Sequence, residues 1–270
     1  MKSALVVTVA MLALAAVAYP GLMHDADAGV VRNIVTSDTI LSTMIDSLLP
    51  PARYSVASIL PPGQCPGQFD VKLSDIERMK KADLIVAFVG MPYIEKGGSG
   101  KQLLVETGGR NWMSPDSYLS GLDFLASRLS ERFPEEREEI VRRKAETAGR
   151  VEAASKSLRE KIDLAGLAGK PVIVTSAQKE PAEWMGFRVV AEYGRPESMS
   201  AREIVTISTI GRERRAILVI DNLQSGPDAG KGIAEALGAP HVVLTNFPSE
   251  EGYLATLEEN VNAVLTALRK

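Results

Sequence analysis

Behind Pro134 the chain runs from 135 to 164 without another proline and with a single glycine, Gly149. Along this stretch Ile140, Ala148, Val151, Ala154, Leu158 and Ile162 recur mostly at three- and four-residue steps, the period of one helix face. Acids and bases stand four apart: Glu138–Arg142, Glu139–Arg143, Glu146–Arg150 and Glu152–Lys156, spacing that predicts pairing along an exposed face. Thirty residues at about 1.5 Å each make a rod of roughly 45 Å. A rod of that length either pairs in a coiled coil or bridges two bodies. Its seam is narrow and made largely of small residues, and both flanks carry α/β patterns. The reading is therefore a linking helix over 134–168 between two lobes.

The flanks support this. Residues 32–36 (RNIVT), 54–60 (YSVASIL) and 83–88 (DLIVAF) read as short apolar strands. Between the first two, 38–48 has helical spacing at Ile40, Leu41, Met44, Ile45 and Leu48, with Thr36, Ser37 and Asp38 offering cap chemistry. A Pro/Gly loop follows over 60–70, then a short helix opens at Ser74-Asp75 and ends near Lys81. Residues 96–101 (KGGSGK) read as a turn, and 116–131 as an amphipathic helix. Past the linker the plan repeats. Strands are expected at 171–175, 187–192, 216–221 and 241–245, and helices near 200–211, 228–237 and 252–269. The fold class is α/β: two parallel-sheet lobes, 29–133 and 169–270, with a ligand cleft between them. The halves are similar in plan, without a short sequence repeat.

Composition removes several functions. The 270 residues are 45% hydrophobic, which is too apolar for a disordered chain, and the net charge of −3 argues against a nucleic-acid partner. One cysteine, Cys65, rules out an intramolecular disulfide. The two histidines are His24 and His241. No Ser/His/Asp arrangement or nucleophile elbow is visible, so an enzyme is not expected. Residues 225–232 (SGPDAGKG) imitate a phosphate loop. Only three residues separate Gly226 from Gly230, and Gly232 stands where Ser or Thr would hold Mg²⁺, so nucleotide binding is rejected. No cofactor is expected.

Residues 4–18 (ALVVTVAMLALAAVA) form an apolar run behind Lys2, shorter than the roughly 20 residues of a spanning helix. Ala26-Asp27-Ala28 is a small-x-small cleavage site. Residues 1–28 thus read as an export signal, with an uncleaved anchor as the alternative. His24 lies in that segment. A mature chain with one His and one Cys cannot assemble a Cys₄, His₃ or Cys₂His₂ metal site.

Four stretches then resemble a known family: VTSDTILSTMIDSLL (35–49), ILPPGQCPGQFDVKLSDIERMKKADLIVAF (59–88), NWMSPDSYLSGLDFLASRL (111–129) and PVIVTSAQKEPAEWMGFRVVAEYG (171–194). The chain resembles the substrate-binding proteins of the zinc/manganese-type ABC importers. The resemblance implies an extracytoplasmic receptor, in the periplasm or on the outer face of the membrane. It would carry a small solute or metal chelate in its interlobe cleft to an ABC permease. It also exposes departures. Where the family has a His after the PPG turn, this chain has Gln64-Cys65-Pro66-Gly67-Gln68. The second His position falls at Arg110-Asn111-Trp112, the third ligand at Ala177-Gln178, and the terminal acid at Thr245-Asn246. All four positions are neutral.

The candidate ligand-binding residues are therefore Gln64, Cys65, Gln68, Asn111, Trp112, Gln178, Asp221, Asn222 and Asn246. Asn and Gln amides are weak neutral substitutes for the anionic or imidazole donors Zn²⁺ prefers. Asp221, after an apolar strand, is the one carboxylate expected at the cleft. A bare transition metal is disfavoured. Two readings remain, a receptor for a bulkier or chelated solute and a ligand-free scaffold of a membrane complex.

Overall fold

The computed structural model describes residues 31–94 and 101–269. The expected export signal, and all of the 96–101 turn except Lys101, lie outside the described residues. Strand β1 (Arg32–Thr36) pairs in parallel with β2 (Tyr54–Ser58) and with β3 (Leu84–Phe88), and β3 pairs with β4 (Gln102–Val105). The sheet order is β2-β1-β3-β4. β3 is buried along its whole length, as a strand covered on both faces should be. Helix α1 (Thr39–Leu48) lays Ile40, Leu41, Met44, Ile45 and Leu48 onto the sheet, all 2% exposed or less. Its start is set by Asp38, whose carboxylate accepts hydrogen bonds from the Ile40 and Leu41 amides at 3.1 Å. Helix α2 (Leu73–Lys81) and α3 (Pro115–Arg132) complete the first lobe.

The second lobe repeats the topology. β5 (Pro171–Thr175), β6 (Arg188–Tyr193), β7 (Val219–Asn222) and β8 (His241–Leu244) form a parallel sheet in the order β6-β5-β7-β8. Helices α5 (Lys179–Trp184), α6 (Ala201–Arg214), α7 (Lys231–Leu237) and α8 (Tyr253–Ala267) surround it. The strand order is the same in both lobes, so each sheet reverses direction of winding between its first and third strands. In open α/β sheets that point is where ligands sit, beyond the carboxyl ends.

Helix α4 (Arg137–Leu164) is the predicted strut, preceded by a 3₁₀ turn at Pro134–Glu136. Ile140, Thr147, Val151, Leu158 and Ile162 are its buried seam. One continuous apolar core runs from Ile34, Leu41 and Met44 of the first lobe through this seam to Val172, Leu218 and Val261 of the second. Residues from Val31 onward accordingly form one compact unit. The surface pairing meets the i,i+4 expectation only in part. The expected Glu139–Arg143 pair forms at 3.9 Å, while Arg142 bridges Glu139 and Glu146 instead of reaching Glu138. Arg143 also donates to the last carbonyls of α1, Asp46 O and Ser47 O, so one side chain serves both the ion pair and a helix C-terminus. No described helix is long and apolar enough to cross a membrane.

Two elements have no counterpart in the sequence reading. β4 is a four-residue edge strand with Leu104 51% exposed, too short to show a period. α5 is six residues long and holds Pro181 in its first turn, where a missing amide costs nothing.

Candidate functional site

The carboxyl ends of the two sheets meet along a seam. From the first lobe come the start of α1, the end of β3 and the loop at 107–112. From the second come the ends of β5 and β8. Asn111 is the bridge. Its Nδ2 donates to Ala177 O at 2.7 Å and to Asn246 Oδ1 at 2.8 Å, and its Oδ1 accepts from the Met113 amide. Gln178, 0% exposed, donates through Nε2 to the same Asn246 Oδ1 at 2.7 Å and to Asn222 Oδ1 at 3.0 Å. Asn222 Nδ2 in turn donates to Ser225 Oγ at 2.5 Å. Gln224 Oε1 accepts from the Asn246 amide at 2.9 Å. Four of the candidate residues, Asn111, Gln178, Asn222 and Asn246, thus form one amide cluster. Within it the buried Gln178 Oε1 has no hydrogen-bond partner among the described residues.

The other candidates stand elsewhere. Gln64 and Gln68 are exposed and Cys65 is half-buried, capping a 3₁₀ turn at Pro66–Gln68. None of the three bonds to the cluster, and of that turn only Pro66 reaches a cavity at the seam. Trp112 is 8% exposed, packed edge-on against Phe88 at 4.9 Å and over Gly121. It anchors α3 and also walls the seam. Asp221 does not face the cleft. Its Oδ1 accepts from Tyr193 Oη at 2.7 Å, and its Oδ2 meets the Gly230 amide at 2.8 Å and His241 Nε2 at 2.7 Å. Successive strand residues point to opposite faces, so when Asn222 turns to the cluster its neighbour Asp221 turns into the lobe. Burial, then the adjacent carboxylate, pushes the Tyr193 hydroxyl well above its ordinary range.

Further contacts cross the seam. Thr39 Oγ1 donates to Pro248 O at 2.8 Å, and Tyr253 Oη to Met113 O at 3.2 Å. The Tyr118 and Tyr253 rings stack at 3.7 Å. Glu180 accepts from the Asn111 amide at 2.7 Å and from Ser117 Oγ, and pairs with Arg110 at 3.4 Å. Phe247 inserts from the second lobe into the first lobe's cluster around Val35, Ile59 and Tyr93. Glu180 and Phe247 escaped the sequence reading. Charged or aromatic residues in α/β loops are common, and only the opposing lobe distinguishes these. Deeper in the first lobe, Asp38 is fully buried. Desolvation raises its pKa to about 6, against the opposing pull of the Ser37 hydroxyl and the Leu41 and Ile40 amides.

Two cavities flank the cluster, of about 380 Å³ and about 270 Å³, with Asn246 and Phe247 in the walls of both. Among the described residues no three His, Cys, Asp or Glu side chains converge as metal ligands. Asn246 Oδ1 already accepts two hydrogen bonds, leaving Gln178 Oε1 as the free acceptor. One neutral oxygen is a poor start for a tetrahedral zinc site.

Two like-wound lobes, one rigid spanning helix and a polar seam between sheet ends define a two-lobed cleft-binding protein. The model of the family described as "ZnuA: Zinc-uptake complex component A periplasmic" matches residues 110–267, more than half of the chain, and the chain belongs to that family. It is accordingly a transport component and not an enzyme. Among solved structures the chain is similar to a zinc-bound deletion mutant of ZnuA, with 17% identity and a TM-score of 0.71, over 88% of this chain and 98% of that one. It is similar to the periplasmic metal-binding protein of Candidatus Liberibacter asiaticus at 15% identity and a TM-score of 0.74, over 88% and 99%. The laminin-binding protein of Streptococcus agalactiae, an adhesin with metal-transporting activity, matches at 17% and 0.70, over 88% and 99%. At these identities the likeness is one of fold. No curated protein matches the sequence.

Proposed function

We propose that this chain is the extracytoplasmic solute-binding component of an ABC-type importer, delivering to a membrane permease a solute other than a bare transition ion. Family membership and the N-terminal export pattern of residues 1–28 support the importer role and its location. One observation carries the ligand reading: Asn111, Gln178 and Asn246 converge as neutral amides, with Gln178 Oε1 buried and unpartnered. Amide donors and acceptors suit a solute that brings its own coordination sphere, such as a chelate, and they supply no charge to hold Zn²⁺. Native mass spectrometry with metal analysis of untagged protein tests this. The expected result is substoichiometric zinc and manganese with a co-purifying small molecule. Stoichiometric zinc removed by a chelator would refute it.

A second reading, a ligand-free scaffold or accessory subunit, is favoured by the Asn111 bonds to Ala177 O and Asn246, which join the lobes directly. It predicts that no solute purifies with the protein.

A further inference from the structure

The smaller of the two seam cavities, about 270 Å³, lies where the second sheet reverses its winding, past the ends of β5 and β7. Thr175, Asn222, Gln224 and Ser225 bring hydroxyls and amides to its wall, whereas the Ser176 hydroxyl donates to Tyr193 O and the Asn222 and Gln224 amides each commit one proton, to Ser225 and Thr245 respectively. The one ionisable side chain lining it is Arg195. Arg195 is exposed to solvent at the edge of this wall, and among the described residues it forms no ion pair and its guanidinium makes no hydrogen bond, every other residue of the wall being neutral. Pro66 comes down on the cavity from the first lobe, and a Cβ on Gly67 would stand 3.6 Å from Arg195 Nη1, so that turn reaches the guanidinium. Ser225 Oγ accepts from Asn222 and so keeps its own proton to donate. The fully buried Asp221, next to Asn222 at the end of β7, is spent on Tyr193, Gly230 and His241.

We infer that this cavity is an oxyanion site: Arg195, an unpaired guanidinium set among neutral donors at the switch point, receives a carboxylate, sulfate or phosphate group of the solute. The inference rests on the reading of the seam as a solute cleft and gives that solute a sign. A planar guanidinium presents two parallel donors to two oxygens of such a group, with hydroxyl and amide donors completing its shell. Pro66, Ala177 and Phe247 add an apolar wall suited to an organic remainder. A cavity that holds a free cation and no free anion repels a naked divalent ion, which agrees with the amides at the neighbouring positions.

The test is isothermal titration of the purified protein with sodium sulfate, sodium phosphate and trisodium citrate at constant ionic strength, with sodium chloride as the blank and zinc chloride in a separate arm. Arg195→Gln and, as a surface control on α6, Arg202→Gln are titrated alongside, each first checked for an unchanged melting temperature. The expected result is saturable binding of at least one oxyanion, weakened tenfold or more in Arg195→Gln and unchanged in Arg202→Gln. Sulfate or phosphate binding marks an inorganic oxyanion, and citrate alone marks an organic carboxylate. If no oxyanion binds saturably, or Arg195→Gln binds as tightly as the parent, the inference fails while the proposed function stands. Saturable zinc binding in both parent and Arg195→Gln overturns the proposed function and this inference with it.

Discussion

Asn246 holds the amide cluster together through a single atom, so replacing it should show how much the seam contributes. Its Oδ1 accepts from Asn111 Nδ2 at 2.8 Å and from Gln178 Nε2 at 2.7 Å. Asn246→Ala deletes both bonds. Neither donor is stranded: Asn111 keeps Ala177 O, and Gln178 keeps Asn222 Oδ1. The loss is therefore two net hydrogen bonds at about 1 kcal/mol each plus a small cavity, roughly 2–3 kcal/mol in all, and not the larger penalty of orphaned buried groups. For a chain of this size that corresponds to a drop of about 5–10 °C in melting temperature. Asn246→Asp retains both bonds, because only acceptor oxygens are used, and should stay within about 1 kcal/mol of the parent. Urea unfolding followed by far-UV circular dichroism measures both variants. If alanine is silent, or aspartate is as damaging as alanine, the cluster does not join the lobes as its geometry says.

Three further outcomes follow from the same structure. Replacing the amides by ionisable donors in Asn111→His/Gln178→His/Asn246→Asp should confer a zinc-dependent rise in melting temperature reversed by a chelator, about 2.7 kcal/mol at one hundred times the dissociation constant; a triple variant that folds and ignores zinc would count against the donor-set argument. Gly121→Ala should cost about 1–3 kcal/mol, since the new Cβ would lie 2.5 Å from Trp112 Cζ3 and a buried indole cannot yield easily; unchanged stability would mean that the α3–Trp112 contact is loose. Asp38 has a folded pKa of about 6, raised above its ordinary 3.8 by burial. Its contribution to stability is complete below about pH 4 and is lost as pH rises through 6, up to roughly 3 kcal/mol. Asp38→Asn keeps the cap acceptor for the Ile40 and Leu41 amides, so it should flatten the stability profile between pH 4 and 7 and match or exceed the parent at pH 7.5. A variant clearly less stable than the parent at pH 7.5 would show that the charge itself is needed.

Local pattern alone was enough for the strut and for seven of the eight described strands within three residues at either end. Apolar period and charge spacing act between neighbours in sequence, so they are visible in a string. The same string could not decide which side of β7 faces the seam. Asn222 and Asp221 are adjacent and equally polar, and it is Tyr193, the Gly230 amide and His241, from three other parts of the second lobe, that draw the aspartate inward. Nor could it show that Asn111 and Asn246, 135 positions apart, share a hydrogen bond, or that Arg195 has no counter-ion among the described residues. Charge pairing and polar satisfaction in a buried seam depend on which groups lie within about 3 Å of one another once both lobes are docked, and only the folded chain sets those distances.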